Sequence, residues 1–231
     1  MIKFRELLFI VLGSLVIGYV VSFAQPITYE AWAKYSMIGF LLLAVNVLAK
    51  KLAAAKLGCE AEITPWQVRR FGFHEDSYFK MPLPMWVIWP IFMIWATVGA
   101  IWWLVVLQFD AVATTSKVRH KYAEITEWDF GLIAAAGIVA NLIFAAAAAY
   151  FGYSEVMAMN LWFVFFNMLP LPNYDGGKIF FGGRFFYMFM LIFSIAVIFL
   201  LHITDPLTTG IASAIVACVA VVMTYALLRR R

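Results

Sequence analysis

Seven long apolar stretches, separated by polar segments, constrain this chain more than any other feature of its sequence. Prolines, glycines or charged residues bound each stretch, as is usual where hydrophobic segments end. A helix needs roughly 20 apolar residues to cross a bilayer, so the longer stretches predict membrane-spanning helices. The seven cover Leu7–Phe23, Ala31–Leu57, Met85–Leu107, Phe130–Phe151, Val156–Leu169, Phe185–Leu201 and Leu207–Leu228.

The composition agrees with a membrane protein. Hydrophobic residues make up 65% of the 231 residues and charged residues only 13%, about half the charged share of a soluble domain. This excludes a soluble enzyme, a disordered chain and a secreted disulfide scaffold. The two cysteines, Cys59 and Cys218, suggest neither a disulfide framework nor a thiolate metal site. Despite a net charge of +4, no long basic face is available for nucleic acid, and the lipid bilayer is the first expected partner.

The distribution of basic residues predicts the topology. Seven full crossings would place two basic loops, at 59–84 and 109–129, on opposite sides, although positive residues favour the cytoplasmic side. The conflict disappears if Met85–Leu107 forms a re-entrant or interfacial hairpin. Its tryptophans favour the interface, and Pro90 and Gly99 are candidate breaks. An ordinary spanning helix is the alternative.

The predicted fold class is therefore an all-α polytopic membrane protein with six to seven hydrophobic segments. We expect one transmembrane domain over 1–231, with a core at about 31–183 and C-terminal helices at 185–228. The basic loops and the C-terminus are expected to be cytoplasmic, in a plasma membrane.

Two segments contain polar residues in apolar surroundings. In Phe166–Gly177, two prolines end a helix just before Asp175, and an acidic residue in an apolar segment is a functional candidate. A solvated turn at a helix end is the alternative. In Ile133–Leu142, small residues allow close helix approach and Asn141 needs a hydrogen-bond partner, with or without a role in a site.

These two segments resemble motifs of the site-2 protease family of intramembrane zinc metalloproteases, in its archaeal or bacterial form. One family helix ends in NxxPxPxxDG, and another carries an asparagine after an AGP-type stretch. Ala136-Gly137 and Asn141 match the second motif, with Ile138 in place of its proline. The first motif is matched by Asn167, Pro170, Pro172, Asp175 and Gly176. The resemblance implies a site-2-protease-like transmembrane core in which these residues belong to the active-site region.

This chain differs from the family in the helix that carries the HExxH motif. Alignment on Gly58 places Asn46 and Lys50 at the two histidines and Val47 at the glutamate, so the segment reads NVLAK. In HExxH, two histidines on one helix face bind zinc and the glutamate activates water. Only Asp175 remains of the ligands that the resemblance implies. We therefore expect no bound zinc and no catalytic residue.

Lys50 suggests what replaces the metal. It lies four residues after Asn46, on the same helix face, and this face is expected to look towards Asp175 if the family's fold is kept. We predict an ion pair between Lys50 and Asp175, with Asn46 hydrogen-bonded into the pair. The alternative is that Lys50 extends to the interface beside Lys51.

The leading functional hypothesis is a catalytically inactive homologue, a pseudoprotease, that binds or regulates other membrane proteins through the former substrate groove. Its expected partner is a transmembrane segment of another protein, and the sequence does not specify an oligomeric state. One alternative is an active zinc-dependent endopeptidase with other ligands, for which His74, Glu75 and Asp76 are the best candidates. Another is a structural subunit or transporter, with Lys50, Asp175 and Asp129 along a polar path.

Overall fold

The computed structural model describes residues 2–23, 28–70, 78–113 and 125–229. The chain forms two compact units. Unit 1 comprises Met1–Ala44 and Glu62–Asp110, and unit 2 comprises Val45–Ala61 and Ala111–Arg231.

The described part of the chain is mostly helical. Its eight helices are α1 (Phe4–Ser22), α2 (Tyr29–Lys56), α3 (Met85–Ala96), α4 (Glu127–Tyr150), α5 (Ser154–Asn167), α6 (Asp175–Gly182), α7 (Arg184–Leu200) and α8 (Pro206–Arg229). Four of them, α1, α2, α4 and α8, are long and apolar enough to cross a membrane. This supports a helical membrane protein, but the number of such helices in the described residues is lower than the six to seven expected.

The difference arises because several apolar stretches form shorter helices. The stretch at 156–169 forms α5, which has 14 residues, and the stretch at 185–201 forms α7, which has 17. At a rise of about 1.5 Å per residue, a 14-residue helix is only about 21 Å long, less than the roughly 30 Å of a hydrocarbon core. Hydropathy identified these segments as buried or membrane-associated, but it did not determine their helical lengths.

The chain is also not purely helical. The described residues include four strands, β1 (Cys59–Pro65), β2 (Val68–Arg70), β3 (Tyr78–Leu83) and β4 (Leu107–Ala113). β1 pairs with β4, and β2 pairs antiparallel with β3, with Val68 opposite Leu83. Side chains along β1 alternate between buried and half-buried, as expected for a strand with one face packed against protein.

In unit 1, small residues allow α1 to approach α2 closely. A side chain on Gly18 would collide with Ser36, and one on Gly39 would lie 2.8 Å from Ile17. Such residues are typical of contacts between membrane helices. The start of α1 is bound to β1, because Glu6 accepts a 3.0 Å hydrogen bond from the backbone of Ile63.

The third apolar stretch forms a hairpin instead of one spanning helix. α3 ends at Ala96, and Val98 and Gly99 have positive φ angles of 51° and 88°. The chain then runs without regular secondary structure over 101–106 into β4. The backbone N–H of Trp86 donates to Trp66 O, and that of Trp66 donates to Val106 O, both at 3.0 Å. Both ends of the stretch therefore meet at Trp66, as the hairpin prediction requires.

The returning arm of this hairpin is covered by protein. Leu104, Val105 and Val106 are all buried. Non-helical backbone at membrane depth is tolerated only where protein covers it, so the burial of this arm is compatible with a re-entrant segment.

In unit 2, α4 packs against α5 and α6, and α7 and α8 form a helical hairpin. α4 begins at a capping box in which the side chain of Thr126 accepts from Asp129 N and the Asp129 carboxylate accepts from Thr126 N. Gly131 and Gly182 bring α4 and α6 close together, because a Cβ on either would lie about 3.5 Å or less from the other helix. This packing positions α6 and its first residue, Asp175.

Candidate functional site

The centre of unit 2 contains a buried ion pair. Lys50 Nζ, from α2, lies 2.8 Å from Asp175 Oδ1, from α6, and the two side chains are only 5% and 3% exposed. The predicted ion pair is thus present, and Lys50 does not extend to the interface. The other carboxylate oxygen of Asp175, Oδ2, is buried and has no hydrogen-bond partner among the described residues. Lys50 is therefore the main stabilising contact of this carboxylate.

The local sequence around Asp175 explains its position. α5 ends at Asn167, and the chain turns through Pro170 and Pro172 before α6 begins. Both prolines are exposed, so they shape the turn and do not line the buried centre. Asn167 is buried at the end of α5.

Two glycines after Asp175 let α6 press against this turn. A side chain on Gly176 would collide with the backbone of Met168, and one on Gly177 would collide with the carbonyl of Leu171. The hydroxyl of Tyr187 also donates to Met168 O at 3.0 Å. The two glycines therefore position the Asp175 carboxylate through close backbone packing. A Cβ at position 176 or 177 would prevent this packing.

Three buried asparagine side chains form a hydrogen-bonded chain that begins on α2, the helix that carries Lys50. Asn46 Nδ2 donates to Asn141 Oδ1 at 3.0 Å, Asn141 Nδ2 donates to Asn160 Oδ1 at 2.9 Å, and Asn160 Nδ2 donates to Val156 O at 2.8 Å. These bonds connect α2, α4 and α5. Asn46 was expected to hydrogen-bond into the ion pair, but its side-chain donor is directed to Asn141.

Asn160 was missed by the sequence analysis. It is fully buried, with 0% exposure, and it completes the amide chain. The same feature that marked Asn141 was present at Asn160: a polar side chain in an apolar helix needs a hydrogen-bond partner. Asn167, about two turns later on the same helix, belongs to the proline–aspartate motif, whereas Asn160 belongs to no motif.

Gly137 makes room for the ion pair. A Cβ at this position of α4 would lie 2.6 Å from Lys50 Cε and 2.8 Å from Asn46 Nδ2. The small residue predicted to allow close helix approach therefore accommodates two polar side chains from α2. This contact brings the segment Ile133–Leu142 against the NVLAK segment that contains Asn46 and Lys50.

The residues at this centre do not fit a zinc ion. Catalytic zinc sites normally offer three protein ligands and one open position. Here Asp175 is paired with an ammonium, which repels a metal cation, and the nitrogen of Asn46 is used as a donor. Val47, which the motif resemblance aligns with the family's glutamate, is an apolar side chain that is 2% exposed. These side chains can hold an internal ion pair, but they cannot supply a hydrolytic metal site.

Other candidate groups lie elsewhere or outside the described residues. His74, Glu75 and Asp76 fall outside the described ranges. Within those ranges, no group of three His, Cys, Asp or Glu side chains is close enough to hold a metal. Asp129 is half-buried at the start of α4, where its carboxylate accepts hydrogen bonds from the backbone N–H and the hydroxyl of Thr126.

Comparisons with protein-family models, curated proteins and solved structures found no match to this chain. The family resemblance therefore stays a prediction that rests on the motif residues.

Proposed function

We propose that this chain is a non-proteolytic membrane protein with a site-2-protease-like core, which binds a transmembrane segment of another membrane protein. The observation that carries the proposal is the buried contact between Lys50 and Asp175 at 2.8 Å. In this proposal the core sits in a plasma membrane, with the basic loops and the C-terminus in the cytoplasm.

The ion pair supports the loss of hydrolysis on electrostatic grounds. A metal cation would have to displace the Lys50 ammonium from Asp175 or bind beside it against charge repulsion. Breaking a buried ion pair by removing one partner typically costs about 3–5 kcal/mol. No carboxylate replaces the general base at Val47, and losing such a base alone slows catalysis by about 10² to 10⁴.

The two faces of α2 support a binding role. One face is polar and sealed, since Asn46 and Lys50 are buried in unit 2. The opposite face is apolar and open, with Leu48 48% and Leu52 66% exposed. Because the polar centre is closed, the partner helix is expected to pack on this outer face, through close van der Waals contact.

Restoring the family's motif tests the loss of catalysis. The triple variant Asn46→His, Val47→Glu, Lys50→His rebuilds HExxH opposite Asp175. We expect the wild type to bind no zinc and to leave a transmembrane reporter helix uncut, whereas the triple variant binds about one zinc per chain. One equivalent of tightly bound zinc in the wild type, or cleavage of the reporter by it, would show an active peptidase with a different ligand set.

Site-specific crosslinking tests the binding role. A photoreactive side chain at Leu48 or Leu52 is compared with one at Ile215 of α8, which is similarly exposed at 59%. In native membranes, we expect one discrete protein adduct from the two α2 positions and none from Ile215, with the crosslinked peptide mapping to a transmembrane segment. Lipid adducts alone, or the same adducts from all three positions, would argue against a protein partner on α2.

A further inference from the structure

A second feature lies in unit 1, where α1 ends and α2 begins. A cavity of about 300 Å³ is lined there by Tyr19, Thr28, Tyr29 and Trp32. Three of these four residues are aromatic, and the fourth carries a hydroxyl. The volume is at the lower end of the range typical of small-ligand pockets, about 300–1,000 Å³.

Hydrogen bonds hold two of the rings in place. Trp32 Nε1 donates to Leu15 O at 3.2 Å. Tyr19 Oη accepts from Trp95 Nε1 at 3.3 Å, and Trp95 also lies against Phe23, with ring centroids 5.8 Å apart. The indole of Trp32 and the phenol of Tyr19 are therefore oriented before any ligand binds.

The aromatic lining favours a cation. Ring faces attract ammonium groups, and clusters of aromatic rings are the known binding sites for quaternary ammonium ligands. The hydroxyl of Thr28 accepts a 3.2 Å hydrogen bond from Ala31 N, which leaves its own proton available to an anionic oxygen. Together, the rings and the hydroxyl match a group that carries an ammonium and a phosphate a few ångströms apart.

The position along the chain identifies the source of that group. α1 and α2 are both candidate membrane spans, so the end of one and the start of the next lie where lipid headgroups are found. We propose that this cavity binds the headgroup of a zwitterionic phospholipid, with the ammonium against the rings of Tyr19, Tyr29 and Trp32 and the phosphate near Thr28. The proposal is independent of the ion pair in unit 2 and of the binding role of α2.

Native mass spectrometry of the detergent-solubilised full chain tests this site. Phosphatidylcholine is compared with phosphatidylglycerol of the same acyl chains, which keeps the phosphate but lacks the ammonium. We expect about tenfold tighter retention of phosphatidylcholine, as two or three exposed cation–π contacts would give. Soluble tetramethylammonium should compete with phosphatidylcholine and leave phosphatidylglycerol binding unchanged.

Three variants separate recognition from folding defects. Trp32→Leu removes a ring and should abolish most of the preference, whereas Trp32→Phe keeps a ring face and should retain part of it. Trp128→Leu, which changes a 46% exposed tryptophan on α4 outside the cavity, should leave the preference intact. Equal retention of the two lipids by the wild type, or equal losses in the Trp32→Leu and Trp128→Leu variants, would overturn the proposal.

Discussion

Two ion pairs in this protein have almost the same geometry and very different surroundings. Lys50 and Asp175 in unit 2 are 2.8 Å apart and at most 5% exposed, whereas Lys3 and Glu62 in unit 1 are 2.6 Å apart and 50% and 46% exposed. Solvent screens the second pair, and its two long side chains lose entropy on pairing, so such pairs contribute about 0–1 kcal/mol. The first pair has no solvent to replace a lost partner. Burial, and not the distance between the charges, therefore decides how much each pair matters.

The largest effect is expected from breaking the buried pair. Lys50→Met leaves the Asp175 carboxylate buried without its cation, so we expect the free energy of unfolding to fall by about 3–5 kcal/mol. The thermal unfolding midpoint in detergent measures this loss.

A double variant distinguishes lost charge pairing from lost packing. Because Lys50→Met with Asp175→Asn removes both charges, it should recover at least half of the loss. If the double variant is as unstable as Lys50→Met alone, the packing of the lysine stem matters more than the ion pair.

The next largest effect should come from filling the space beside the pair. Gly137→Ala places a Cβ 2.6 Å from Lys50 Cε, and the ion pair prevents the lysine from moving away freely. Overpacking of this kind typically costs about 1–3 kcal/mol.

Gly210→Ala in α8 is the matched control for this substitution. Its new Cβ meets nothing within 4 Å, so the change should be neutral or stabilising by up to about 1 kcal/mol, as for a helical glycine replaced by alanine. Equal destabilisation by both substitutions would contradict the steric account of Gly137.

An intermediate effect is expected from breaking the amide chain. Asn141→Ala removes the partner of Asn46 Nδ2 and of Asn160 Oδ1. Unsatisfied buried polar groups cost about 1–3 kcal/mol, although hydrogen bonds between membrane helices average about 0.6 kcal/mol. We expect a loss of about 1–2 kcal/mol in detergent unfolding. A loss as large as that of Lys50→Met would show that the amides, and not the charges, dominate the centre.

The smallest effect should come from the exposed pair. Lys3→Met removes the ammonium that lies 2.6 Å from Glu62, and the expected change is less than about 1 kcal/mol. High salt should reduce this change further, because ions screen exposed charges. If Lys3→Met and Lys50→Met destabilise the protein equally, burial does not explain the contrast between the two pairs.

Sequence patterns predicted part of the site well. The i, i+4 spacing of Asn46 and Lys50 placed both on one helix face, and the Pro-Leu-Pro and Asp-Gly-Gly motifs marked the turn that positions Asp175. Asn160 and the role of Gly137 were not predicted, because each depends on which side chain of another helix lies opposite. The positions of Asn160 and Gly137 in the sequence do not reveal these opposing side chains, because helix packing brings them together.

The apolar stretches, the candidate breaks at Pro90 and Gly99 and the polar residues of the NVLAK segment were determined by the sequence itself. Hydropathy and the positions of charges and prolines are local properties, so they can be read directly from the order of residues. Tertiary structure alone decided the lengths of the helices, the strands, and the hydrogen bonds of Asn46 with Asn141 and of Asn141 with Asn160. It also supplied the burial of the predicted Lys50–Asp175 pair. These pairings join residues far apart in the chain, and their stability depends on burial that only the packed helices create.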